Sequence, residues 1–163
     1  MEYPTPRDVL SGRGAQWRGG RWNLPGLAAI YGSTSDTTAL EESKANDRYY
    51  GVETKGPRLL VAIDARLSRV LDLTSPDIRR ALDVTLTDLG AEDWRKLLAA
   101  GKESFTQCIG RAVVATGGSG VIARSASVSR GINGIVYPGV CAGDQLKVVD
   151  GGKLERLGFR TTV

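Results

Sequence analysis

Residues 11–26, SGRGAQWRGGRWNLPG, restrict the fold of this chain more than any other stretch. Five glycines and a proline fall within it. Glycine loses the most backbone freedom on ordering and proline lacks an amide donor, so a regular helix is disfavoured here. The stretch reads as an ordered loop or short hairpin. Its two tryptophans, Trp17 and Trp22, call for burial. Its three arginines, Arg13, Arg18 and Arg21, call for polar or anionic partners.

The 163 residues suffice for one ordinary domain, 1–163, with a real core. No internal repeat, low-complexity tract or linker divides the chain. Leu27–Tyr31 reads as a short apolar strand. Ser33-Thr34-Ser35-Asp36 supplies caps for a helix over Thr37–Tyr50, and Gly51–Pro57 is a turn. Arg58–Asp64 reads as a buried strand and Val70–Leu73 as another. Ser75-Pro76-Asp77 sets a capping serine before a first-turn proline, opening a helix to about Leu82. Thr87 is the expected cap of the next helix, which carries Trp94, Leu97 and Leu98 on one side. Glu103–Thr116 places apolar residues at 105, 108, 109, 112 and 113, a helical stripe that Gly117–Gly120 ends. Strands Val121–Ala123 and Gly134–Tyr137 flank a polar loop, Arg124–Asn133. The tail holds a strand, Gln145–Val149, and a terminal fragment, Arg156–Arg160. Helices and short strands mix without a clean βαβ alternation, so a single compact α+β domain is expected.

Histidine is absent from the sequence. That removes Ser-His-Asp and Cys-His triads, histidine proton shuttles and every histidine-containing metal site. Cys108 and Cys141 are too few for a zinc site and read as ordinary thiols. Lys and Arg number 22 against 18 acidic residues, a net charge of +4 without a basic run. This suits an anionic small molecule or acidic partner better than nucleic acid. No segment is long and apolar enough to span a membrane, and Met-Glu-Tyr-Pro opens no signal pattern. The chain reads as soluble, unprocessed and cytoplasmic. Neither Gly12-Arg13-Gly14-Ala15 nor Gly117-Gly118-Ser119-Gly120 fits a Rossmann or P-loop pattern in its context.

What chemistry remains rests on carboxylates, hydroxyls, arginines, lysines and amides. Gly19-Gly20 permits close backbone approach to a ligand, and Arg21 can clamp a phosphate through paired hydrogen bonds; the alternative is a surface arginine stacked on Trp22. Glu41 and Glu42 point about 100° apart on a helix, so only one can face a cleft, and their neighbours do not decide which. Ser125, in Arg124-Ser125-Ala126-Ser127, follows an apolar strand where side chains reach a cleft. Without histidine, a hydrogen-bonding role is expected there. Glu41, Glu42, Asp64 and Asp72 all lie near element ends, and nothing singles out a glycosidase-like pair.

In order along the chain, these segments resemble the RES domain, a family of bacterial toxins named for an Arg, a Glu and a Ser. The resemblance runs from about Leu10 to Pro138. It rests on SGRGAQWRGGRWNLPG, then AIYGSTSDTTALEE, then AEDWRKLLAAGKESFTQCIGRAV, then GVIARSASVSRGINGIVYPG. It implies Arg21, Tyr31, Glu42 and Ser125 as catalytic residues, with Gly20, Arg21, Trp22, Tyr31 and Asn133 binding NAD⁺. By the resemblance, Glu42 stabilises an oxocarbenium-like ribose and orients a nucleophile, and Arg21 holds the diphosphate. Tyr31 stacks on or hydrogen-bonds the nicotinamide ribose, Ser125 bonds the ribose or carboxamide, and Asn133 shapes the loop.

Two departures from the family pattern stand out. Arg124 replaces the proline that usually precedes the serine. An early arginine of the family falls at Met1 by spacing, leaving Arg7 or Arg13 as stand-ins. The implied fold is similar to ADP-ribosyltransferases. The implied activity is cleavage of the nicotinamide–ribose bond of NAD⁺ by hydrolysis or phosphorolysis, with no metal and no cofactor beyond NAD⁺ as substrate. The implied partner is an Xre-like helix-turn-helix antitoxin, with a homodimer within that complex and no direct contact with nucleic acid or membrane. A protein ADP-ribosyltransferase using the same site, and a silent antitoxin-binding module, are the alternatives.

Overall fold

A computed structural model describes residues 4–52, 58–142 and 144–153. In the glycine-rich region two short helices, α1 (Pro6–Ser11) and α2 (Arg13–Arg18), meet at Gly12. The expected loop is therefore half helix: Gly12 and Gly19 punctuate Arg13–Arg18, whose Ala, Gln and Arg residues tolerate a helical turn. The rest is the expected hairpin-like turn. Gly20 and Asn23 bridge in antiparallel fashion with Arg21-Trp22 at its tip. Trp22 is buried at 5% exposure, but Trp17 is 79% exposed, against the expectation for both tryptophans.

Strand β1 (Ile30–Ser33) leads into α3 (Asp36–Tyr50). Ser35 caps α3 by accepting from the Thr38 amide, so the helix starts as its sequence indicates. After Gly51 the turn expected to Pro57 passes outside the described residues. Strand β2 covers Ile63–Arg66 rather than Arg58–Asp64. Its length is set by its partner, the strand Gln145–Val148 at the far end of the chain, with one further bond from the Val149 amide to the Ala62 carbonyl. Strand β3 (Val70–Asp72) and α4 (Pro76–Ala81), capped by Ser75, follow as expected. The next helix is split into α5 (Leu86–Ala91) and α6 (Trp94–Ala99). The caps are Thr85, in a reciprocal box with Asp88, and Asp93, in place of the single cap expected at Thr87.

Helix α7 (Phe105–Ala115) connects to β4 (Gly120–Arg124), and β5 (Ile132–Val136) returns beside it. The buried face of α7 is Thr106, Gln107, Gly110 and Val113. Phe105 and Cys108, expected on the apolar stripe, are exposed. The reason is polar. Gln107 buries its amide because the Gly20 carbonyl accepts from its Nε2 at 2.9 Å and its Oε1 accepts from the Ser104 amide. Strand β6 (Gln145–Val148) pairs with β2, and the Arg156–Arg160 fragment lies outside the described residues.

The main sheet has the order β1-β5-β4-β3, antiparallel except for the parallel pair β3–β4. Trp22, Leu73, Leu89, Val113, Val121, Ile135 and Tyr137 form the core between sheet and helices. This is the α+β architecture that the mixed elements imply. Gly110 lets α7 approach the arginine turn closely: a Cβ there would run into the Trp22 carbonyl and the Tyr137 hydroxyl. Cys108 and Cys141 are both free thiols. Among the described residues no helix is long and apolar enough to cross a membrane, and no three Cys, Asp or Glu side chains gather as metal ligands.

Candidate active site

Strand register assembles the site. Asn133 on β5 sits opposite Ser33 on β1 and Ala123 on β4, so these chain segments end together beside α3. Glu42, on the second turn of α3, projects onto that strand end. Its Oε1 accepts from Ser125 Oγ at 2.6 Å and Asn133 Nδ2 at 2.7 Å. Its Oε2 accepts from Ser127 Oγ at 2.9 Å. Ser33 Oγ donates to Asn133 Oδ1 at 2.7 Å, which turns the amide so that its NH₂ faces Glu42. Burial pushes the Glu42 carboxyl upward. The bonds from Ser125, Asn133 and Ser127, with the charge of Arg21, outweigh that and hold it below the ordinary glutamate range. A carboxylate offers about four acceptor positions. Three are taken here, which leaves Oε2 able to receive one more donor from a ligand.

The choice between the adjacent glutamates is thereby made. Glu41 points outward and pairs with Lys44 at 2.8 Å. Asp64 pairs with Lys147, and Asp72 holds the Thr74 turn, so no second carboxylate joins Glu42 from the four considered.

Arg21 stands at the tip of the Gly20–Asn23 turn and is pinned from several sides. Asn23, fully buried, donates from Nδ2 to the carbonyls of Ala15, Leu24 and Leu27. The Tyr31 hydroxyl donates to Asn23 Oδ1 and accepts from the Trp22 amide, each at 2.8 Å. Tyr137 donates to the Trp22 carbonyl at 2.9 Å. Gly20 is required by this packing, since a Cβ would stand 2.5 Å from the Tyr31 hydroxyl. Arg21 itself donates to the Leu89 carbonyl at 3.2 Å. Burial, then the like charge of Arg95, draws its pKa downward, while Glu42 draws it up.

Tyr31 is 42% exposed, yet its hydroxyl is enclosed between Trp22 and Asn23. That enclosure raises its pKa by desolvation and leaves the ring, not the hydroxyl, to meet a ligand. The Trp22 indole belongs to the core; its backbone positions Arg21.

These residues border one open cleft of about 1720 Å³, which Gly20, Arg21, Trp22, Tyr31, Glu42 and Asn133 all line. Ser125 reaches it through Glu42, and Arg124 and Ser127 line it directly. Arg7 and Arg13 do not: Arg13 borders a separate, smaller hollow with Asp8 and Ile63. Two features escaped sequence reasoning. Ser127 could have been suspected from the Ser-x-Ser spacing alone. Arg95, whose guanidinium lies 4.3 Å from the ring centres of both Tyr49 and the adjacent Trp94, left no signal, because Tyr49 and Asn46 reach it from a helix far away in sequence.

The RES domain family model matches residues 2–156, beyond the motif-bearing span on both sides. Among curated proteins, the NAD(+) phosphorylases MbcT of Mycobacterium tuberculosis and Mycobacterium bovis are each 36% identical over 124 residues, 71% of this chain and 66% of theirs. The chain thus spans 66% of the length of the curated relatives it matches. Among solved structures, the crystal structure of the M. tuberculosis MbcT–MbcA toxin–antitoxin complex aligns over 96% of this chain and 90% of that one, with a TM-score of 0.62 and 24% identity, a likeness of fold. Motif order, strand register and the family match converge: this chain belongs to the RES domain family.

Proposed function

We propose that the chain is a toxin that consumes NAD⁺ by cleaving its nicotinamide–ribose bond, acting in the cytoplasm with no cofactor beyond NAD⁺ as substrate. The observation that carries this reading is Glu42: an ionised carboxylate held by three donors beside an arginine, with one acceptor position left for a ligand. As the C1′–N bond breaks, its electron pair leaves with neutral nicotinamide, so no strong general acid is needed. Positive charge develops on the ribose, and a fixed carboxylate stabilises it without reorganising. Glu42 Oε2 orients the incoming oxygen or a ribose hydroxyl. Arg21 holds the diphosphate, the Tyr31 ring packs on the nicotinamide ribose, and Ser125 and Asn133 keep the carboxylate in place. Water as acceptor gives ADP-ribose and a proton; phosphate gives ADP-ribose 1″-phosphate. The activity in the name of the 36%-identical relatives supports phosphate as acceptor.

The partner in this reading is an antitoxin of the Xre-like helix-turn-helix kind, in a complex that holds a homodimer of this chain. The toxin–antitoxin structure with the same fold supports an antitoxin partner. The deciding experiment measures nicotinamide release from NAD⁺ with and without phosphate, for the wild type, Arg21→Ala and Glu42→Gln. Release that both variants lose, and that phosphate accelerates, is expected. Release that Glu42→Gln retains overturns the reading, and transfer of ADP-ribose to a protein instead of to phosphate or water replaces it with a protein ADP-ribosyltransferase.

A further inference from the structure

Of the arginines that line the cleft, Arg18, Arg95 and Arg124 are not used by the mechanism above, and Arg95 is the one set against aromatic rings. Arg95 is the second residue of α6 and lines the cleft with Tyr49, Tyr50 and Trp94. Its guanidinium carbon lies 4.3 Å from the ring centres of Tyr49 and Trp94 and 5.9 Å from that of Tyr50. Aromatic rings at that distance fix the plane of a guanidinium and favour its charge. One Nη2 hydrogen bond, 3.1 Å to Asn46 Oδ1, orients its edge. Among the described residues no carboxylate pairs with Arg95, and its Nε is the buried side-chain nitrogen without an acceptor. Such a group calls for an explanation, since a buried donor left without a partner carries the full cost of its lost hydration.

Three relations place this cation in the substrate's path. Asn46 follows Glu42 by four residues on α3, one helical turn or about 6 Å along the axis. Glu42 and Asn46 therefore share one face of α3, and Asn46 holds the Arg95 guanidinium on the same cleft that Glu42 lines. Arg21 lies within electrostatic reach of both, as the opposing pulls of Arg95 and Glu42 on its pKa show. Two like charges facing one cleft are relieved by an anion with several oxygens that accepts from both. Neither stand-in for the family's early arginine, Arg7 or Arg13, lines the cleft to do this.

We propose that Arg95, its plane set by Tyr49 and Trp94 and its edge by Asn46, binds the diphosphate of the substrate together with Arg21 and so selects a dinucleotide over a nucleoside. The proposal rests on the NAD⁺ reading of the cleft. Arriving phosphate oxygens supply the acceptors that Arg95 lacks, and its alignment places the ribose C1′ at Glu42.

The test compares NAD⁺ with nicotinamide riboside, which has the same scissile bond and no phosphate, for the wild type, Arg95→Ala, Arg95→Lys and Asn46→Ala. Arg95→Ala is expected to raise KM for NAD⁺ about tenfold or more with kcat changed less than about threefold, and to leave kcat/KM for nicotinamide riboside unchanged. Arg95→Lys keeps the charge without the stacked plane, and Asn46→Ala frees the edge; both fall between. Unfolding temperatures identify any variant that is simply misfolded, in which case the milder pair decides. Equal losses on both substrates by folded variants show a structural role and overturn the proposal, as does an unchanged KM for NAD⁺. Calorimetric titration of ADP-ribose separates the two readings. If the wild type releases no nicotinamide, the catalytic reading fails, and ADP-ribose binding that Arg95→Ala loses still upholds the anion site. No binding by the wild type overturns both.

Discussion

Ser125 and Ser127 both donate to Glu42, but only Ser125 also holds up its own loop, and removing each in turn separates the two tasks. Ser125 Oγ donates to Glu42 at 2.6 Å and accepts from the amides of Ser127 at 3.1 Å and Val128 at 2.9 Å. A hydrogen bond to a charged group is worth about 1.5–3 kcal/mol. The cleft admits water, so the lower figure applies, and each exposed amide adds about 0.5 kcal/mol. Ser125→Ala should therefore destabilise the fold by roughly 2–3 kcal/mol, and Ser127→Ala, which loses only its bond to Glu42, by about 1.5 kcal/mol. At this chain length 1 kcal/mol moves the midpoint by about 2–4 °C. Thermal unfolding by circular dichroism should then show Tm falling by roughly 5–10 °C for Ser125→Ala and about 3–6 °C for Ser127→Ala. Both variants should raise the pH at which nicotinamide release declines on the acid side, because each removes a donor that favours the ionised carboxylate. Equal Tm losses, or an acid limb that neither variant moves, would refute this account of the loop.

Further outcomes follow from the same contacts. Because the Glu42 carboxyl is held below the ordinary glutamate value of about 4.3, its contribution to stability is complete above that value. It is lost as pH falls through the lower folded value; urea midpoints measured from pH 7 downward should therefore fall more steeply on the acid side in wild type than in Glu42→Gln, and a wild-type midpoint that rises relative to Glu42→Gln would show the sign to be wrong. Gly110→Ala forces a methyl against the Trp22 carbonyl and Tyr137 hydroxyl and should destabilise by about 1–3 kcal/mol or more, read by urea denaturation. Asn23→Ala strips three half-buried carbonyls and the Tyr31 hydroxyl of their partner and should lower stability by about 3 kcal/mol; a soluble variant with wild-type Tm would contradict it. Tyr31→Phe removes the hydroxyl but keeps the ring on the cleft, so KM for NAD⁺ should change less than about threefold while stability falls by about 1–2 kcal/mol.

The helix starts were legible because their signals are local. Ser35 before α3 and Ser75-Pro76 before α4 are caps that any chain would use in the same way. Thr85 was missed because Thr87 offered the same chemistry two residues later, and only the reciprocal Asp88 separates them. The stripe on α7 was read out of phase because an apolar count cannot foresee that Gln107 is buried for the carbonyl of Gly20, a partner far away in sequence. At the site, residues alone left Glu41 and Glu42 open, and family resemblance chose Glu42, the one that faces Ser125. Ser33 and Arg95 were out of reach for a common reason: each matters through a partner that strand register or helix crossing supplies, Asn133 for the one and Asn46 for the other.

The turn that bears Arg21 is clasped by Gln107 from α7, Tyr137 after β5, Tyr31 on β1 and its own Asn23. Its order is therefore acquired when the core forms, not when a ligand arrives. Among the described residues, the arginine turn is held entirely by groups that the core itself supplies. If the cleft consumes NAD⁺ as proposed, a turn ordered in this way is restrained by what fills or covers the cleft, or by how many copies are made.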